Sequence, residues 1–191
     1  GNKMTLTKTK TKNNNTQALA TNSSTDIIAI DSIIEIKKLQ GRDEINNLFK
    51  NIMLKGDLIE ILNLIKQVEI IKPLDSIELL PNIKLKTDEY ASIIDTLLKN
   101  GYEKSIKNLT ISNLPNVIHS LGKKVFHKFT KLEKLIIKGN KIDGLDILNM
   151  LPHMPSVNTL DISFNKIDDL GASIIVHKMP NLTNLNIEFN D

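Results

Sequence analysis

The strongest constraint on this chain is a recurrence. Asn140, Asn165 and Asn190 stand 25 positions apart, each closing the same short phrase. The phrases are Leu132-x-x-Leu135-x-Ile137-x-x-Asn140, Val157-x-x-Leu160-x-Ile162-x-x-Asn165 and Leu182-x-x-Leu185-x-Ile187-x-x-Asn190. A fixed period of this order marks stacked units, each too small to bury its own apolar face alone. Within a phrase the alternation is that of a strand, so Leu135 and Ile137 point one way while Lys134, Ile136 and Lys138 point the other. Parallel stacking makes ladders of the inward residues: Leu135, Leu160, Leu185 and Ile137, Ile162, Ile187. Each such side chain, fully buried, contributes roughly 1.5–3 kcal/mol before the entropy of ordering is charged. The recurrent Asn has a structural role in this scheme, because its amide can satisfy main-chain groups where the chain leaves the strand.

The segments between phrases carry a second pattern. After Asn165, the residues Ile167, Leu170, Ile174 and Ile175 sit at helical spacing for one buried face, and Pro180 precedes the next strand as Pro155 does one unit earlier. His127-Lys128-Phe129 and His177-Lys178-Met179 occupy equivalent places. Phrase and segment together resemble the leucine-rich repeat, and its ribonuclease-inhibitor-like subclass in particular. The resemblance implies an α/β solenoid with parallel strands on a concave face, helices on a convex face, and protein binding on the concave side.

Two weaker copies stand earlier. Leu74-x-x-Ile77-x-Leu79-x-x-Asn82 keeps the phrase and is followed by a helical pattern over 88–99, ended by Asn100-Gly101. Ile106-x-x-Leu109-x-Ile111 keeps the strand but has Leu114 where Asn is expected. The repeats are therefore expected over 73–191, about five strands on repeat logic, with Asn82, Asn140, Asn165 and Asn190 as structural residues. The chain stops at Asp191, before a helix that would cover the last strand, and a C-terminally truncated repeat array is the expectation.

Ahead of the repeats, 26–72 reads as helical. Ile45, Leu48, Phe49 and Ile52 share one face of a helix over 43–55, stopped by Gly56. Asp57 caps a second helix carrying Leu58, Ile61, Leu62, Ile65 and Val68. This pair faintly resembles an F-box, which would imply a substrate adaptor of a ubiquitin ligase, but the Leu-Pro and the Trp of that module are missing. An amphipathic N-terminal cap explains the same residues and is preferred. Residues 1–25 are Thr, Lys, Asn and Ser with almost no apolar mass, a low-complexity tail expected to be disordered. Gly1-Asn2-Lys3-Met4-Thr5 fits an N-myristoylation pattern; the plainer reading is a fragment boundary that begins with Gly.

Composition excludes several kinds of chemistry. The chain has no Cys, hence no thiolate metal site, disulfide or cysteine nucleophile. A net charge of +3 with 4% aromatic residues is too mild for a nucleic-acid binder. No apolar run is long enough for a membrane span. There is no glycine-rich phosphate loop and no cofactor motif. His127, His153 and His177 recur near helix ends without a carboxylate at fixed offset, so no metal site is expected. Asp143, Asp168 and Asp169 fit helix N-capping rather than acid–base work. The expectation is a non-enzymatic scaffold located in the cytoplasm, or in a host-cell cytosol if the chain is a secreted effector. An alternative is the targeting module of a larger enzyme.

The outward rows of the expected sheet can be named. They run Ser76, Asn108, Lys134, Thr159, Asn184; then Glu78, Thr110, Ile136, Asp161, Asn186; then Leu80, Ser112, Lys138, Ser163, Glu188. The expected partner-binding residues are Lys134, Ile136, Lys138, Thr159, Asp161, Ser163, Asn184, Asn186 and Glu188. Trp and Tyr anchors are absent from these rows, which points to a modest polar interface with a protein of unspecified identity.

Overall fold

In the first helix, apolar residues recur at helical spacing and Gly56 ends the run. The computed structural model describes residues 41–67, 71 and 74–190; the tail at 1–25, the segment 26–40 and the Gly1 modification lie outside them. Helix α1 (Arg42–Lys55) buries Ile45, Phe49, Ile52 and Met53, and Gly56 closes it at φ 69° with its N–H on the Met53 carbonyl. Helix α2 (Leu58–Ile65) starts at Asp57, whose carboxylate accepts the Glu60 N–H at 3.1 Å. Its Ile61, Leu64 and Ile65 are buried.

Strand and helix then alternate: β1 (Ser76–Leu79), α3 (Thr87–Lys99), a 3-10 turn (Tyr102–Lys104), β2 (Asn108–Ile111), α4 (Pro115–Lys128), β3 (Lys134–Ile136), α5 (Gly144–Met150), β4 (Thr159–Asp161), α6 (Asp169–Lys178) and β5 (Asn184–Asn186). The five strands form one parallel sheet in the order β1-β2-β3-β4-β5. Five short parallel strands joined by helices fit a leucine-rich-repeat-like fold, and all the described residues belong to one compact unit. The helix α3 with its following 3-10 turn accounts for the wide gap between the first two phrases.

Alternation decides burial. Ile77, Leu79, Leu109, Ile111, Leu135, Ile137, Leu160 and Ile162 are buried, and Leu109, Leu135, Leu160 and Leu185 stand in register across β2 to β5. Burial fades at β5, the sheet edge, where Leu185 is 41% exposed. Neighbouring helices α5 and α6 approach through two glycines. A Cβ on Gly171 would lie 3.1 Å from Gly144 Cα, and one on Gly144 would lie 2.8 Å from Asp168 Oδ1.

One expected core position is corrected. Ile167 and Ile175 are buried, but Leu170 is 66% exposed. The helix begins at Asp169, after the Asp168 cap, which turns Leu170 outward and gives the inward place to Gly171.

Candidate partner-binding surface

Strand pairing aligns the outward rows residue for residue. Ser76, Asn108, Lys134, Thr159 and Asn184 are successive register partners, as are Glu78, Thr110, Ile136, Asp161 and Asn186. The third row follows through main-chain bonds beyond the strands, Asn113 N–H to Lys138 O, Gly139 N–H to Ser163 O and Phe164 N–H to Glu188 O.

The nine expected contact residues divide by exposure. Lys134, Lys138, Asn184, Asn186 and Glu188 are exposed, while Ile136, Thr159 and Asp161 are half-buried. Ser163 is only 2% exposed, and Ser112 before it is buried too. The Ser163 hydroxyl donates to Asp161 Oδ1 at 2.6 Å and its N–H donates to the same oxygen at 3.0 Å. Ser163 therefore fixes the Asp161 carboxylate and presents no group of its own to solvent. Asn186 repeats half of this device, accepting the Glu188 N–H at 3.1 Å. With Asp161 so engaged, it forms no ion pair with Lys138 among the described residues.

At the β1 side the rows run into a cleft of about 410 Å³ between α1 and the sheet, lined by Arg42, Asp43, Asn46, Lys50, Asp75 and Glu78 among others. Asn46 and Asp75 clasp reciprocally: Asn46 Nδ2 donates to Asp75 Oδ1 at 2.8 Å and Asp75 N–H donates to Asn46 Oδ1 at 3.1 Å. Arg42 lies 3.3 Å from the other Asp75 oxygen, and Lys50 lies 3.5 Å from Glu78.

The recurrent Asn residues sit beneath the end of this surface. Asn140 Nδ2 donates to the Ile111 and Ile137 carbonyls at 2.7 and 2.9 Å, and its Oδ1 accepts the Leu114 N–H at 2.8 Å. Asn165 Nδ2 reaches the Ile137, Ile162 and Ser163 carbonyls, and its Oδ1 accepts from Asn140 N–H and Ile142 N–H. Asn190 Nδ2 reaches Ile162, Ile187 and Glu188 carbonyls, and its Oδ1 accepts from Ile167 N–H. Asn82 lies exposed in the turn after β1 and has no side-chain hydrogen bond among the described residues. There the Tyr90 hydroxyl donates to the Leu80 carbonyl at 2.8 Å, with the Ile83 carbonyl at 3.3 Å.

Of the carboxylates expected to cap helices, Asp143 and Asp168 do so, whereas Asp169 is the first residue of α6 itself. Asp143 Oδ1 accepts the Asp146 N–H at 2.8 Å, and that bond, more than the charge of nearby His119, holds the Asp143 carboxyl below its ordinary range. His127, His153 and His177 are exposed. Among the described residues no group of three His, Cys, Asp or Glu side chains is placed to hold a metal ion. No described helix is long and apolar enough to cross a membrane.

Sequence reasoning missed one aromatic feature. Phe164 and Phe189 stack with ring centroids 4.5 Å apart and planes at 16°, and they are 56% and 68% exposed. The signal was available: each Phe immediately precedes a recurrent Asn and so shares its period.

A family model described as Leucine Rich repeat matches residues 153–176. Among curated proteins, none matches the chain. The matched segment runs from the turn before β4 into α6, and so covers one strand, its buried Asn165 and its returning helix. Together with the recurrence, the match supports a leucine-rich repeat protein, a class whose members are usually non-enzymatic binding modules.

Proposed function

We propose that this chain is a protein-interaction scaffold that takes a partner on the sheet face turned away from its helices. A leucine-rich repeat suggests such a module. The observation that carries the finer reading is the in-register display of Lys134, Ile136, Thr159, Asp161, Asn184 and Asn186, with Leu135 and Leu160 between them fully buried on the opposite face. Lys138 and Glu188 extend that display, and Ser163 supports it through Asp161. In this reading 73–191 forms a ribonuclease-inhibitor-like solenoid with a concave binding face, and the helical segment within 26–72 is its N-terminal cap. The burial of Phe49, Met53, Leu64 and Ile65 favours a cap over an F-box-like adaptor, whose apolar residues would be needed for docking. No described residue favours an enzymatic role.

The test is affinity capture from a cytosolic lysate, comparing the native chain with a Thr159→Arg, Asp161→Arg variant of unchanged circular dichroism. A protein retained by the native chain and lost by the variant supports the reading. Equal retention overturns it and directs attention to the cleft beside α1.

A further inference from the structure

On the outward face of β4, Asp161 and Ser163 act as a pair: the buried Ser163 hydroxyl donates to Asp161 Oδ1 at 2.6 Å. Register places Thr110 and Ser112 at the same two positions of β2, two strands away. Ser112 is as buried as Ser163, at 3% exposure against 2%, yet its Oγ has no hydrogen-bond partner. A threonine stands where β4 has its carboxylate. A buried hydroxyl left without a partner is rare in a folded chain and calls for an explanation. Beside it on β3, Lys134 and Lys138 are exposed, and their ammonium groups have no ion-pair or hydrogen-bond partner among the described residues.

We propose that an Asp or Glu side chain of the protein partner seats its carboxylate over Thr110, accepting from Ser112 beneath and pairing with Lys138. The seat rests on the partner-binding reading of the sheet face and gives the chemistry of one contact within it. The pair in β4 is its precedent, because there a serine buried to the same degree reaches a carboxylate on the surface above it. Two acids of the chain flank the position, and both are engaged. Glu78, the register partner of Thr110 on β1, lies 3.5 Å from Lys50, and Asp161, two strands from Thr110, holds Ser163. Lys134 and Lys138 are left with uncompensated charge, which draws a carboxylate and repels a basic side chain. A neutral acceptor would satisfy Ser112 alone, whereas a carboxylate satisfies the hydroxyl and the ammonium together.

An NMR titration of the isotopically labelled full chain with a hexaglutamate peptide, at low ionic strength, tests it. Amide shifts are expected to centre on Ser112 and Lys138, and hexaglutamine is expected to produce none. Thr110→Asp supplies the carboxylate from within the chain and should weaken hexaglutamate binding at least about tenfold. Lys138→Gln should weaken it roughly threefold, both variants keeping the native circular dichroism. Shifts centred elsewhere, an equal response to hexaglutamine, or native affinity in Thr110→Asp overturns the proposal. Inorganic phosphate that moves the same two amides at lower concentration than the peptide also overturns it. A lysate partner lost from the Thr159→Arg, Asp161→Arg chain but held by Thr110→Asp leaves the face in use and removes this seat. Equal retention by the arginine variant overturns the partner-binding reading itself.

Discussion

The main-chain N–H of Asn140 donates to the side-chain oxygen of Asn165 at 2.8 Å, so one recurrent Asn holds the next. Each amide also donates to carbonyls of its own strand and of the strand before it. The period visible in the sequence is thus a period of hydrogen bonding across repeats, with each unit satisfying polar groups that its neighbour would otherwise leave buried.

Replacing Asn165 should therefore cost more than replacing Asn190. Asn165→Ala strands the N–H groups of Asn140 and Ile142, each at about 1–3 kcal/mol, whereas Asn190→Ala strands only that of Ile167. Denaturant unfolding should show a loss of about 3 kcal/mol or more for the first and roughly half that for the second, at constant m-value.

Much of the fold was legible because the strands obey a period-two pattern that burial enforces. Leu135, Leu160 and Leu185 announce both the strand and its register, and Gly56 and Asp57 mark a helix end and a helix start. Exposure was less legible. Ser163 and Lys138 share a row, yet one is buried against Asp161 and the other is exposed, because a short hydroxyl folds back where a long ammonium side chain cannot. Leu170 looked apolar at helical spacing, but the register of α6 depends on where Asp168 caps it. Phe164 takes a positive φ at the residue before Asn165, as Gly139 does before Asn140, so this turn shares the period of the recurrent Asn although the residue type there varies.

Glycine substitutions should separate a backbone contact from a side-chain one. Gly171→Ala drives a methyl into Gly144 Cα and Ile167 Cγ2, at 3.1 and 3.0 Å, and should destabilise by about 1–3 kcal/mol despite the better helix propensity of Ala. Gly122→Ala meets mainly the Met150 thioether, and a flexible side chain can move. Thermal melts should show a clear drop in Tm for the first and a small change for the second.

Alkaline stability should be set by two phenols, the chain's full complement of tyrosine. Burial raises both Tyr90 and Tyr102, and the hydroxyls donate to Leu80 O and Ile65 O. A raised folded-state value means stability that is fully present below the unfolded value of about 10 and is lost as pH rises toward the folded one. Phenolate absorbance should consequently appear cooperatively with loss of circular dichroism, above the pH at which free tyrosine ionises. Independent, gradual ionisation of folded protein would contradict this.

At the acid end the sign reverses. Asp143 is held below its ordinary range by the Asp146 N–H, so its contribution is present above about pH 4 and declines as pH falls through the lowered value. Asp143→Ala should remove about 1 kcal/mol at neutral pH, less in acid, and Asp168→Ala a similar amount through the lost bond to Gly171 N–H. Unfolding curves at two pH values measure both.

The joined amides also give the molecule a polarity in time. Asn190 is half-buried at an edge strand whose three residues are exposed, while Asn140 is fully enclosed and Asn165 nearly so. Amide-proton exchange in this chain should accordingly be slower around Asn140 and Asn165 than around Asn190. A column built to join neighbours is by the same construction one that can part strand by strand.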